Sequence, residues 1–206
     1  MKLFEVLTKI HPNIPISKKS MTMEPEWAPP KTWKNIGNGT QAEVFTSNKH
    51  PTKAIKILFA YSGIEDAGYQ FIRLCLNHQD NPHFPKIYNI KQYPEGPNEH
   101  RLLIVMEKLE KVKKSDIGLI EQLIGMKIAN NSDIRNTSGE LNEIFENPKL
   151  RKEIIQNTKY PSLKEALRLL EPMFRHYSPD MHLGNIMIRQ SPNGPEVVFI
   201  DPLNIG

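Results

Sequence analysis

The chain holds one cysteine, Cys75, in 206 residues. That excludes an internal disulfide and a cysteine-based zinc site, and it fits a reducing compartment such as the cytoplasm. Cys75 lies among Phe71, Ile72, Leu74 and Leu76, so a buried structural thiol is expected there rather than a reactive one. No apolar run approaches the roughly 18 residues that a membrane-spanning helix needs, and no membrane segment is expected. Charge of one sign is not concentrated either. The 27 Lys and Arg against 23 Asp and Glu leave a net charge of +4 with the lysines scattered, which argues against a nucleic-acid partner. His78, His83 and His100 are separated and show no ligand spacing, so a zinc site is not expected. There is no internal repeat, and no G-x₄-G-K-[ST] string, which excludes a Walker A phosphate loop. What remains is 38% hydrophobic and 24% charged, an ordinary globular composition, long enough for one sizeable domain or two small lobes.

The most informative stretch that is present runs Asp180-Met-His-Leu-Gly-Asn185 and is followed by Phe199-Ile-Asp201. It puts an acid and an amide in one tight loop and a second acid after a short hairpin. Phosphoryl transfer needs this set: one acid orients the attacking hydroxyl, while the amide and the second acid hold Mg²⁺ on the nucleotide phosphates. The complementary half lies upstream. Ile36-Gly-Asn-Gly-Thr-Gln-Ala-Glu-Val44 places Gly37 and Gly39 where a hairpin backbone can approach phosphates with no Cβ in the way. Ala42 stands where a third glycine is common, and Val44 is placed to cover an adenine ring. Lys56 closes an Ala-Ile-Lys triplet, the usual setting of a lysine that pairs with the α- and β-phosphates. Singly, each has a plainer explanation: a hairpin turn for the glycines, a solvated strand residue for Lys56. The ordered combination is what carries the reading.

The rest of the chain is laid out around these motifs. Residues 1–32 are expected to form an extension, with a short amphipathic helix at Met1–Leu7 and a Pro-rich stretch from Pro12 to Pro30 expected to wrap the first lobe, where Trp27 and Trp33 would pin it. Glu5 and the lack of a cleavage site argue against a signal peptide. Strands are expected at 33–37, 42–47, 53–59, 84–90 and 102–106, with a helix from Ile64 to Asn77 bearing Tyr69, Ile72 and Leu76 on one face. Glu107-Lys-Leu109 is an abrupt polar change that suits a hinge. The backbone of Glu107 and Leu109 would bind the adenine edge, with Met106 walling the pocket. Beyond it, Ser115 is expected to cap a helix over 116–129. A polar loop follows over 130–137, then one or two short helices around Pro148. Ser162-Leu-Lys-Glu165 is expected as a capping box opening a helix to about Tyr177, kinked at Pro172. A hairpin closes through Ser191-Pro-Asn-Gly194.

The order of these motifs resembles the protein-kinase-like superfamily across nearly the whole chain. It is most similar to the early serine/threonine protein kinase of short-tailed lytic bacteriophages. The resemblance rests on Ile36-Gly-Asn-Gly39, Ala54-Ile-Lys56, Glu65-Asp-Ala-Gly68, Pro85-Lys-Ile-Tyr88, Asp180-Met-His-x-Gly-Asn-Ile-Met187 and Asp201-Pro202. It implies an α+β, bilobal fold: a five-stranded N-lobe with one helix at 33–106, then a hinge and a reduced, mainly helical C-lobe at 107–206. It further implies ATP with Mg²⁺ or Mn²⁺, transfer to Ser/Thr of host proteins, and the host cytoplasm. By position, Asp180 matches the catalytic base, Asn185 and Asp201 the metal ligands, Lys56 the phosphate lysine, and Gly37, Asn38, Gly39 and Ala42 the phosphate loop. Glu65 is the leading partner for Lys56, with Asp66 and Gln70 as rivals. The chain departs from the pattern in three ways. Ser178-Pro179 replaces the His-Arg before the catalytic acid, so onset by activation-loop phosphorylation is not expected. Pro202-Leu203 replaces Phe-Gly, which argues against a mobile switch there. Only five residues follow Asp201, which implies no activation segment and weakens the protein-substrate expectation. The D-x-H-x-G-N string also occurs in small-molecule phosphotransferases of the aminoglycoside or sugar-kinase type, and a nucleotide-binding pseudokinase is a third possibility. His182 is open between loop packing and a metal or phosphate contact.

Overall fold

The computed structural model describes residues 31–39, 42–59, 67–94, 100–128 and 134–204. Residues 1–30 of the N-terminal extension, Trp27 among them, and Glu65 and Asp66 lie outside them. The chain divides into two units: residues 1–77 with 86–108, and residues 78–85 with 109–206.

The first unit holds the expected five-stranded antiparallel sheet: β1 (Trp33–Asn38), β2 (Ala42–Ser47), β3 (His50–Leu58), β4 (Ile87–Pro94) and β5 (His100–Glu107), in the order β1-β2-β3-β5-β4. Helix α1 (Ala67–Asn77) is inserted between β3 and β4. Strand β3 lies between two partners and is buried on both faces from Ala54 to Leu58, as a central strand with an apolar run should be. Side chains alternate across the pleat, so Ile55 and Ile57 join Phe45 and Leu103 in one cluster, against which Trp33, Phe59 and Val105 pack. Tyr69, Ile72 and Leu76 of α1 are buried as expected, and Cys75 is fully buried. One strand is displaced: β4 begins at Ile87, not Phe84. The Phe84 carbonyl is taken by the Arg189 guanidinium at 2.8 Å, and Pro85 has no N–H to give a ladder.

The second unit is helical around a hairpin. Helix α2 (Ile117–Ile124) is shorter than the expected 116–129. Gly125 ends it in the left-handed conformation, φ 70°, the usual helix stop. Its start is not capped by Ser115; the Asp116 carboxylate accepts the Lys113 N–H at 2.7 Å across a 3₁₀ turn over Lys114–Asp116. The expected polar loop at 130–137 is cut short by α3 (Ile134–Glu146), in which Thr137 is buried. Pro148 opens α4 (Pro148–Asn157), and Asn147 caps it by accepting the N–H groups of Lys149 and Leu150. Helix α5 (Pro161–Leu170) starts on Pro161 and buries Leu163, Ala166, Leu167 and Leu170. The Ser162–Glu165 capping box is not formed, because both side chains are used elsewhere. Ser162 Oγ meets His83 Nε2 at 3.2 Å, and Glu165 accepts from Asn81. The helix stops before Pro172 and a 3₁₀ turn follows over Met173–Arg175.

A two-residue strand β6 (Glu110–Lys111) edges the hairpin of β8 (Ile186–Ser191) and β9 (Gly194–Phe199). Strand β7 (Ser178–Pro179) pairs with β10 (Leu203–Asn204). Residues 78–85 are fastened to this unit by polar bonds. His83 Nδ1 donates to Val197 O at 2.8 Å, the Phe199 N–H donates to His83 O at 2.9 Å, and Arg189 donates to the carbonyls of Pro82 and Phe84. Burial pushes the His83 imidazole below its ordinary pKa, because a charged ring has no water there. Among the described residues, no helix is long and apolar enough to cross a membrane.

Candidate active site

The loop from Asp180 to Asn185 is held at almost every backbone donor. The Asp180 N–H donates to Pro202 O at 2.8 Å and the Asn185 N–H to His182 O at 2.9 Å. The Met181 N–H donates to Asn142 Oδ1 at 2.8 Å and the Leu183 N–H to Ser138 Oγ at 3.0 Å. Met181 and Leu183 are buried, while Asp180 and His182 between them stay partly exposed. The loop thus turns its apolar residues inward and leaves the acid and the histidine partly exposed.

Asp180 and Asn185 are brought together directly. The Asn185 Nδ2 group donates to both Asp180 Oδ2 and Asp180 O, each at 2.9 Å. Two acceptors on one nitrogen settle which way the amide points, and its Oδ1 accepts no hydrogen bond among the described residues. Asp201 is tied in from the other side. The Ile200 N–H donates to Asn185 O at 2.9 Å, and the β7–β10 ladder pairs Leu203 with Pro179. Ile200 and Pro202, on either side of Asp201, are therefore bonded to Asn185 and Asp180, the two ends of the loop. Leu203 lies in the ladder, and Pro202 O accepts the Asp180 N–H.

The His182 ring is held by contacts within its own loop. The Gly184 N–H donates to His182 Nδ1 at 2.9 Å, so the neutral ring carries its proton on Nε2, which faces Asp180 Oδ1 at 3.5 Å. Neither nitrogen then offers a lone pair to a metal. A Cβ on Gly184 would lie 2.6 Å from His182 Cε1, so the glycine is the space in which the ring sits. No group of three His, Cys, Asp or Glu side chains among the described residues could hold a metal alone. Asn185 Oδ1 and the Asp201 carboxylate are hard oxygen donors. Oxygen donors of that kind are the type that Mg²⁺ or Mn²⁺ takes.

The first unit gathers the other expected residues on one face of its sheet. Val44 pairs with Lys56, Lys56 with Ile104, Ala42 with Leu58, and Ala54 with Met106. These residues alternate with the Phe45–Ile55–Ile57 cluster, so Ala42, Val44, Lys56 and Met106 share the opposite face. Lys56 is buried there, 6% exposed. At the β1–β2 turn the Gly39 N–H donates to Ala42 O at 2.8 Å, and the Gly37 N–H to the Asn35 carboxamide at 3.0 Å. Asn38 accepts from the same Asn35 side chain. Neither Gly37 nor Gly39 has positive φ, and a Cβ at either would meet nothing closer than 3.6 Å. The local fold does not demand these glycines. At the chain leading out of β5, the Glu107 N–H donates to Lys86 O at 2.9 Å and its carboxylate accepts the Lys86 N–H at 2.7 Å. Leu109 is half-buried, and its N–H makes no hydrogen bond among the described residues.

Ser138 and Asn142 were not legible as site residues. They lie 45 and 39 residues before the amides they bind, and nothing in their local sequence separates them from other polar helix positions.

No protein-family model matches the chain, and no curated protein matches it. Among solved structures, the GDP and kanamycin complex of APH(2")-IIia is similar over 99% of this chain and 74% of that one, at 12% identity and a TM-score of 0.37. A likeness of that degree does not discriminate between folds or substrates.

Proposed function

We propose that the chain is an ATP-dependent phosphotransferase of the protein-kinase-like type, a minimal serine/threonine protein kinase acting on host proteins. The observation that carries the reading is the Asp180–Asn185 loop. Its amide anchors the carboxylate and backbone of Asp180 and leaves one oxygen without a donor beside the segment bearing Asp201. Asp180 acts as the base that accepts the hydroxyl proton. Asn185 and Asp201 hold Mg²⁺, which when bound neutralises charge on the nucleotide phosphates. Lys56 pairs with the α- and β-phosphates, and Gly37, Asn38 and Gly39 cradle them. Ala42, Val44 and Met106 line the adenine, with the backbone of Glu107 and Leu109 at its edge. The unpartnered Leu109 N–H supports that last assignment, since a half-buried donor without an acceptor is costly. Glu65, outside the described residues, is the proposed partner of Lys56.

Protein as acceptor rests on the family resemblance alone. A small-molecule acceptor is the second reading, favoured by the D-x-H-x-G-N loop with His182 seated over Gly184. Incubation with labelled ATP, Mg²⁺ and host lysate separates them: labelled protein bands support the first, labelled small solutes the second. No label in either fraction, with nucleotide still bound, makes the chain a pseudokinase. Asp201→Asn abolishes transfer and leaves the circular dichroism spectrum unchanged; wild-type turnover in that variant removes the metal assignment.

A further inference from the structure

The second unit holds its reactive loop by two side chains of one helix. In α3 (Ile134–Glu146), Ser138 and Asn142 are one turn apart, so they project from the same face about 5–6 Å from each other. The two N–H groups they accept belong to Met181 and Leu183, on either side of His182 in the tight loop. Each contact is a full hydrogen bond, 3.0 Å to Ser138 Oγ and 2.8 Å to Asn142 Oδ1. A third residue of the same face completes the device. Asn142 Nδ2 donates to Glu146 Oε1 at 2.8 Å, which turns the amide so that its oxygen faces the loop. The bonded residues flank His182, and Met181 follows Asp180 directly, so these contacts hold the backbone that carries the Asp180 carboxylate.

We propose that Ser138 and Asn142, with Glu146 behind Asn142, are positioning residues for Asp180. The inference deepens the phosphotransferase reading and rests on it for its catalytic meaning. Two of the substitutions that test it push against simple destabilisation, because alanine is a better helix former than serine or asparagine. Loosening of the loop from a more stable helix cannot then be ascribed to the helix.

The experiment is amide hydrogen exchange by NMR on the whole chain, read together with turnover and nucleotide affinity. In Asn142→Ala the Met181 amide exchanges about tenfold faster, and in Ser138→Ala the Leu183 amide does so, as loss of one hydrogen bond allows. Amides of α3 and of the β8–β9 hairpin stay at wild-type rates. Turnover falls about tenfold with nucleotide affinity unchanged, as for a misplaced base. Ser138→Thr keeps its hydroxyl and restores both readouts. Asn142→Asp alone sets two carboxylates one turn apart and fails, whereas Asn142→Asp with Glu146→Gln reverses the donor and acceptor and recovers. Unchanged exchange at Met181 and Leu183 overturns the inference. So does exchange accelerated throughout the unit, or faster exchange with full turnover. If the wild-type chain transfers no phosphoryl group, it is the proposed function that fails, and the two amides alone then decide whether these side chains hold the loop.

Discussion

At the scale of single residues, the site is built by giving each polar atom one task. Lys56 sits in the middle of a central strand and is nevertheless buried, a position that a lysine rarely takes without a function. Lys56→Met should lower turnover by at least about a hundredfold, the size of a lost electrostatic contact to the transition state. Lys56→Arg should fail too, since a planar fork does not replace a point charge. Steady-state kinetics on folded variants checks both; turnover within threefold of wild type in Lys56→Met would remove the lysine from the mechanism. Gly184 offers a second test. A methyl there displaces the His182 ring, so Gly184→Ala should cut turnover about as much as His182→Ala, and the double variant should cost no more than either alone, as expected for residues in direct contact. Additive losses would show that the two act separately. The acids, amide and lysine proposed for the site could be picked out in the sequence because the proposed chemistry dictates residue type. The bonds that aim them were not. A hydroxyl on Ser138 or a carboxamide on Asn142 looks like any polar helix residue until the fold sets a loop N–H against it.

At the scale of elements, local chemistry was legible except where a distant partner or a competing local signal overrode it. Strand β2, the α1 face and the β8–β9 hairpin form where alternation and periodicity put them. The Ser162–Glu165 capping box fails because His83 and Asn81, some eighty residues earlier, take both side chains. The helix over 116–129 is broken by Gly125, a stop signal present in the sequence but outweighed there by the apolar spacing that runs on to Ile128. Arg151 shows how elements are joined. From α4 it donates to the terminal carbonyls of Phe145 and Glu146, pairs with Glu171 at 3.0 Å just past α5, and lies over the Phe174 ring. One buried guanidinium thus serves the end of α3, the end of α5 and the following turn. Arg151→Ala should destabilise the chain by about 3 kcal/mol, since the carbonyls and Glu171 lose their partner in a buried site. Urea denaturation measures it; a loss below about 1 kcal/mol would mean that water replaces the guanidinium.

At the scale of the whole molecule, the stability of the second unit should depend on pH through His83. Burial holds its folded-state pKa below the ordinary 6.5, while the unfolded chain titrates near that value. The unfolded state therefore binds more protons as pH falls below about 6.5, and stability drops in that direction. Arg189 adds to the depression and Glu196 opposes it, but desolvation is the larger cause. Urea midpoints should fall from pH 7.5 to pH 5.5, and the fall should be smaller in His83→Gln; equal slopes in the two proteins would assign the acid sensitivity elsewhere. The fastening of residues 78–85 has a consequence for how the chain is made. His83 is bonded to Val197, 114 residues later. A ribosome adding about 5–20 residues per second releases the complete first-unit sheet when residue 107 has emerged. The Phe84 segment must then stay solvated for several seconds more, until the hairpin that receives it exists. A nascent chain stalled before the β8–β9 hairpin should thus be cut by protease at residues 78–85 and spared in the sheet on either side. No single break in the chain yields the second unit in one piece.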